Sequence, residues 1–291
     1  MSYWIDPDEE PSAGLVRVIG EQIDKLRDSC SGASDQPAIF VHKARVRAKR
    51  IRAALRLLRP VLGQKVYAYE NAWWRDAARG LSRVRDMTAR SEALATLTPE
   101  IEAEIDGAVL RRLRWQFERE RRAYEAIVAA EDPVGRFCAA VGGRDFDELA
   151  GLDELSRKAL ARGLGKTYDK AQAAMVEAYD GEAPDRFHEW RKQTKYHALQ
   201  LRLVRQVFPV AAARIEAARD LAELLGAVQD IEVLVTGLSD GRNQHIIAAL
   251  DARRRGMLHG ARVAGEALFA EKPKDWSRAV WKAHAPAEAT A

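Results

Sequence analysis

Residues 37–60 read PAIFVHKARVRAKRIRAALRLLRP, and this stretch decides the fold. Apolar residues recur at the three- and four-residue spacing of a buried helix face: Phe40, Val41, Ala44, Ala48, Ile51, Leu55 and Leu58. A narrow stripe of cationic side chains runs beside that face: His42, Arg45, Lys49, Arg52 and Arg56. Three further cations are predicted to point toward the outer surface: Lys43, Arg47 and Arg50. A helix over 37–59 with this pattern is either an anion-binding element or a solvated basic face.

The absence of acidic residues favours anion binding. No Asp or Glu occurs between Val41 and Arg59. A solvated helix surface normally mixes both signs, because oppositely charged side chains four residues apart stabilise a helix and like charges destabilise it.

A second copy of the stripe occurs half a chain length later, in residues 184–204, which read PDRFHEWRKQTKYHALQLRLV. The offsets of the first stripe are repeated by four cations: His188, Arg191, Lys195 and Arg202. Two positions depart, since Arg52 is replaced by Ala198 and Arg50 by Tyr196. We predict that both stripes and Tyr196 contact one shared anionic ligand, because an accidental charge run does not reproduce such offsets.

A second repeated segment supports an internal duplication. The pattern from Arg75 to Asp86 aligns without gaps on the pattern from Arg219 to Asp230. Asp has a poor helix propensity, so an Asp at matched helix positions in both halves indicates a specific partner. Asp86 and Asp230 are predicted either to orient the cations of the motif helices or to form ordinary structural salt bridges.

These segments resemble the CHAD family, the conserved histidine α-helical domain. The resemblance rests on HKARVRAKRIRAALRLLRP (42–60), FHEWRKQTKYHALQLRLV (187–204), LSRVRDM (81–87) and LGAVQDIEVL (225–234), and it extends over about 12–283. It implies an all-α fold of two pseudo-symmetric four-helix bundles flanking a basic cleft or pore. It also implies binding of inorganic polyphosphate without catalysis. Ala198 and Gln229, where the first half has Arg52 and Arg85, imply a less basic second half.

Periodicity and proline positions predict helices at 13–29, 37–59, 64–96, 99–131, 153–180, 184–208, 211–236 and 242–270. The first repeat is predicted over 12–135 and the second over 150–283. Asp132-Pro133 and Gly142-Gly143 break the periodicity, which predicts that the halves are connected there. The small, polar tail 284–291 is expected to fray.

Composition limits the class of protein. The formal net charge is only +4, from 47 basic and 43 acidic residues, so the basic excess must be local. Cys30 and Cys138 are isolated in the sequence, which favours a reducing compartment and argues against a disulfide scaffold. The acidic start resembles no signal peptide, and no apolar run reaches membrane-spanning length. A cytoplasmic protein without a membrane partner is therefore expected, with the oligomeric state left open.

Neither a metal nor a catalytic site is predicted. His42 and His188 have no second metal-ligating side chain three or four residues later, and the surrounding Arg and Lys would repel a metal cation. His197 falls on the apolar face and is predicted to be a core residue. The run from Glu100 to Glu104 resembles half of the ExExK signature of tunnel-type triphosphatases, but it lacks the Lys and begins a predicted helix. No glycine-rich phosphate loop or nucleophile motif occurs, so no cofactor is expected.

The predicted function is binding of inorganic polyphosphate through the two stripes, with association with polyphosphate granules as a consequence. Arg offers planar bidentate donors to phosphate and Lys a point charge. Histidine can bind phosphate more strongly when it is protonated. A module that binds the phosphate backbone of RNA, a metal-dependent phosphohydrolase and a structural scaffold remain alternatives. The stripes offer few aromatic residues for base stacking, and Asp86 and Asp230 alone are few carboxylates for a metal.

Overall fold

The computed structural model describes residues 3–283 except 34, 83, 85–90, 96–106, 145, 147–148, 150, 182 and 239–242, and only the backbone of 124, 126–128 and 237. Within these residues the chain is all-helical and contains no strand, as predicted. Asp86, the run 100–104 and the tail 284–291 lie outside the described residues. No described helix is long and apolar enough to cross a bilayer.

The helices, numbered here in chain order, are α1 (Pro11–Cys30), α2 (Pro37–Gly80), α3 (Gly107–Glu131), α4 (Pro133–Gly142), α5 (Arg157–Gly181), α6 (Pro184–Val204), α7 (Pro209–Ala212), α8 (Ile215–Gly237), α9 (Gln244–Leu268) and α10 (Pro273–Lys282).

Helix α2 consists of two arms that fold back on each other. Pro60 lies inside the helix, and Gly63 leaves the helical conformation with φ 71° and ψ 165°. A glycine adopts a positive φ without the steric cost that a Cβ imposes. The predicted break between the helices at 37–59 and 64–96 is thus confirmed. The first arm carries the first stripe, and the second arm packs against it.

The second half forms a group of helices in which α6 contacts α5 and α8, and α8 contacts α9. Its core is aromatic, since Trp190 and Trp276 are fully buried and the Trp276 ring stacks on Tyr168 at 4.6 Å. His197 is fully buried beside these rings, as predicted. Burial lowers the pKa of His197 to about 3, so this imidazole is neutral at physiological pH.

The halves share their cores. Gln200 on α6 donates to the carbonyl of Ala53 on α2 at 3.1 Å, and one continuous hydrophobic core includes both helices. A second core joins α3 to the second half, where Leu113 and Phe117 pack with Leu234. The all-helical class is confirmed. The division into two repeats at 12–135 and 150–283 stays a prediction, and α4 runs across residue 135.

The cysteine prediction was wrong, and two helices were not predicted. The segment predicted to connect the halves contains helix α4, which begins at Pro133 and is capped by the Asp132 side chain accepting from the Gly135 N–H. Cys30 and Cys138 form a disulfide between α1 and α4, with their Cα atoms 5.7 Å apart. The cysteines therefore no longer support a reducing compartment. Helix α10 was missed, although its buried Trp276 and Val280 follow the spacing of an amphipathic helix.

Candidate functional site

The two arms of α2 enclose a cationic cavity of about 290 Å³, which we call the stripe cavity. It is lined by Arg45, Ala48, Lys49, Arg52, Arg75, Ala78, Arg79, Ser82 and His188. Arg45 donates to the carbonyl of Ala78 at 2.8 Å, and Arg52 donates to the Asn71 Oδ1 at 3.0 Å. These bonds fix both guanidinium groups between the arms. None of the described residues that line the cavity is a carboxylate. Asp76 lies beside the wall and pairs with Arg75 at 2.9 Å.

The second half contributes to the same cavity. His188 on α6 lines it together with Arg45, Lys49 and Arg52 of α2. Lys195, one of the second stripe's cations, is close enough to Lys49 for their charges to interact. Cations of both stripes therefore meet at one place.

Tyr196 forms a platform under two guanidinium groups of the first stripe. Arg56 lies over its ring at 3.4 Å from the centroid, and Arg52 at 5.5 Å. Only 4% of Tyr196 is exposed. The ring thus holds two arginines through cation–π contacts and presents little aromatic surface of its own.

Arg191 and Lys195 extend the site along α6 toward α8. Arg191 donates to the Gln229 Oε1 at 2.8 Å and approaches Gly226, where a Cβ would lie 3.1 Å from its guanidinium. Burial, together with the charges of Arg191 and Lys49, lowers the pKa of the Lys195 ammonium to about 7. Asp230 and Glu223 act in the opposite direction and favour the charged ammonium.

The family model of the CHAD domain matches residues 17–239 of this sequence. The chain belongs to the CHAD family. Its structure is similar to the crystal structure of the CHAD domain from the plant Ricinus communis, with a TM-score of 0.55 and 19% sequence identity. The similarity covers 98% of this chain and 96% of that one, which shows a shared fold. No curated protein is similar enough to this chain to count as a match.

This CHAD chain does not bring all of its predicted site residues together. His42 is exposed on α2 and does not line the stripe cavity. Arg202 lies away from the cavity lining, beside Tyr3 and Arg50. Arg50 was predicted to face outward, but it is half-buried over the Tyr3 ring at 5.1 Å. Arg47 is also half-buried, and this burial lowers the pKa of its guanidinium. More of the α2 surface is covered than its apolar face indicated, because Tyr3, which precedes α1, packs on the side that carries Arg50.

Both roles suggested for the aspartates stay predictions. Asp230 on α8 interacts electrostatically with Lys195 on the motif helix, which fits an orienting role and a structural ion pair equally well. Its counterpart Asp86 lies outside the described residues.

The second arm of α2 also contributes cations to the stripe cavity. Arg75 and Arg79 line it, and both side chains are exposed. Asp76 pairs with Arg75 at 2.9 Å and lies 3.9 Å from Arg79. Their spacing of four residues was the available signal, because it places both on one side of a helix.

Among the described residues of this CHAD chain, no group of three or more His, Cys, Asp or Glu side chains is arranged to hold a metal ion.

Proposed function

We propose that this CHAD chain binds inorganic polyphosphate in the stripe cavity and does not hydrolyse it. The observation that carries the proposal is the cavity lining, in which five Arg or Lys side chains and His188 face one space and none of the described lining residues is a carboxylate. Polyphosphate is a flexible chain with negative charge along its whole length. It can thread between the arms of α2 and continue toward Arg191 and Lys195.

The arginines of the stripe cavity are held in positions that suit contacts with phosphate groups. A guanidinium has five N–H donors, so Arg52 keeps donors for a ligand after binding the Asn71 Oδ1. Arg45 and Arg52 are both held in place before the ligand arrives. Preorganised donors lose less conformational entropy on binding than free side chains do.

RNA binding is the main alternative function, and the site offers RNA few contacts other than electrostatic ones. Sequence-tolerant RNA binders stack bases on exposed aromatic side chains. The described residues that line the stripe cavity include no aromatic side chain, and the nearby Tyr196 is covered by Arg52 and Arg56. The exposed aromatics Tyr69 and Trp115 do not line it either.

We propose binding without hydrolysis because the carboxylates near the site are poorly suited to holding metal ions. A phosphohydrolase needs carboxylates to hold metal ions near the phosphate. Asp230 is already placed beside the cation Lys195. We expect no phosphate release from polyphosphate or nucleoside triphosphates in the presence of magnesium or manganese. Sustained turnover that disappears in Asp86→Asn would instead identify an enzyme.

A polyphosphate binder of this kind would associate with polyphosphate granules in the cytoplasm. A fluorescent fusion should lie on such granules and disperse in cells that are unable to make polyphosphate. A fusion that stays diffuse in cells containing granules would contradict this location.

The direct test compares long-chain polyphosphate with RNA of equal charge at two salt concentrations. Polyphosphate should bind more tightly, and its affinity should fall steeply with salt, because bound cations displace counterions from a polyanion. An affinity independent of salt would contradict the electrostatic account. Equal or tighter binding of RNA would favour the nucleic-acid alternative.

A further inference from the structure

A second and larger cavity lies outside the stripe cavity, between α5 and α10. This open groove has a volume of about 880 Å³. Small-molecule sites usually occupy about 300–1,000 Å³. The two helices that form it are tightly joined, because Ser277 donates to the carbonyl of Ala161 at 3.1 Å. Gly165 permits this approach, since a Cβ there would lie 2.8 Å from the Ser277 Cβ. We call this cavity the α5–α10 groove.

The groove is strongly cationic. Its lining includes six cations: Lys158, Arg162, Lys166, Lys272, Lys274 and Arg278. Among the described residues, two carboxylates, Asp169 and Asp275, line it with them. The excess of four positive charges equals the formal net charge of the entire chain. The groove is therefore a local concentration of charge that the overall composition conceals.

Most of these cations are not neutralised by the protein. Arg278 pairs with Asp275 at 3.3 Å. Within the described part of the chain, no carboxylate lies within ion-pairing distance of the other five. These side chains are exposed, and like charges that line one groove repel one another, so a multivalent anion is the ligand that would stabilise them most.

The dimensions favour a short anion. Lys158, Arg162 and Lys166 follow one another at four-residue spacing, which places them along one face of α5 over a rise of about 12 Å. Lys272 and Lys274 belong to the opposite wall at the start of α10. A triphosphate group can contact both walls within this length.

Apolar residues line the groove between its cations. One of them is Trp281, which is half-buried, and Ala161 and Pro273 are among the others. An indole ring offers a flat surface on which a nucleobase can stack. Inorganic phosphate chains gain nothing from such a surface.

We propose that the α5–α10 groove binds a nucleoside triphosphate, with its phosphates between Lys158, Arg162 and Lys166 and the opposite lysines, and its base against Trp281. The chemistry shared with inorganic tripolyphosphate is the triphosphate group, and the base distinguishes the two. The site is separate from the stripe cavity, so the proposal does not depend on polyphosphate binding.

The test measures the affinity of the full chain for ATP and for inorganic tripolyphosphate by calorimetry, without divalent metal. The variant Lys158→Gln/Arg162→Gln/Lys166→Gln should weaken ATP binding about tenfold or more, because each charge-assisted contact contributes substantially. The matched control Lys43→Gln/Lys65→Gln/Lys170→Gln removes equal charge from exposed positions that line neither cavity and should bind ATP nearly as the wild type does. Equal losses in both variants, or no ATP binding by the wild type, would overturn the proposal.

Two further comparisons test whether the base contributes to affinity and whether ATP binds in the stripe cavity instead. ATP should bind more tightly than tripolyphosphate, and Trp281→Leu should remove that difference. Equal affinities of the wild type for the two ligands would overturn the assignment of a nucleotide, whatever the stability of the Trp281 variant. Arg45→Ala/Lys49→Ala should retain ATP binding, and its loss there would show that ATP occupies the stripe cavity instead.

Discussion

At the scale of single residues, Lys195 is the cation whose charge depends most on its surroundings. Burial, together with the charges of Arg191 and Lys49, lowers its pKa to about 7. On α8, Asp230 and Glu223 partly offset this effect. Above that pH the free protein holds Lys195 largely neutral. A bound polyanion favours the ammonium form and raises its pKa.

Polyphosphate binding should therefore be accompanied by proton uptake at pH values above about 7, and the affinity should decrease as the pH rises from 7.5 to 9. Calorimetry in buffers with different ionisation enthalpies measures the protons taken up. In Lys195→Met the uptake over this range should largely disappear. Proton uptake equal to that of the wild type in the variant would assign the titration to another group.

At the scale of elements, the turn at Gly63 decides whether the arms of α2 enclose the stripe cavity. Its φ of 71° is unfavourable for residues with a Cβ, and a Cβ there would meet no atom within 4 Å. The cost of a substitution is therefore conformational and does not come from steric overlap with neighbours.

Gly63→Ala should lower the free energy of unfolding by about 1 kcal/mol. The control is Gly20→Ala within α1, where a Cβ also meets nothing within 4 Å. That change should stabilise the chain by about 0.5–1 kcal/mol, since alanine favours a helix interior. Chemical denaturation measures both values. The account of the turn fails if Gly63→Ala is as stable as the wild type.

The elements also show what the sequence could predict. The helices of the two motifs and the break near Pro60 follow from periodicity and proline, which act locally. Helix α4 was missed because Gly142 and Gly143 resemble a loop, although Asp132 and Pro133 form an ordinary helix start. Helix α10 is short, and its burial depends on packing against α5.

At the scale of the whole molecule, sequence reasoning identified the cations but could not place them relative to one another. The repeated offsets predict that His188 and Arg45 have similar roles, and the fold brings both to one cavity. Arg202 has an equally good offset and lies beside Tyr3 instead. The pairing of Cys30 with Cys138 and the packing of α3 on the second half also depend on contacts between distant residues. Spacing along one helix contains no information about such contacts.

The central claim is that cations from both halves form one polyphosphate site, and a pair of matched variants tests it most directly. Arg45→Ala/Lys49→Ala removes two cations that line the stripe cavity, while the second stripe stays intact. Lys43→Ala/Lys65→Ala removes equal charge from exposed positions outside the cavity lining. Thermal unfolding of both variants checks that each is folded.

The measurement is the dissociation constant for long-chain polyphosphate at one salt concentration. Each charge-assisted contact contributes about 1.5–3 kcal/mol, so the Arg45 and Lys49 variant should lose more than about tenfold in affinity. The Lys43 and Lys65 variant should lose much less. Equal losses in the two variants would mean that only net charge matters, and that result would contradict a polyphosphate site formed by the two stripes.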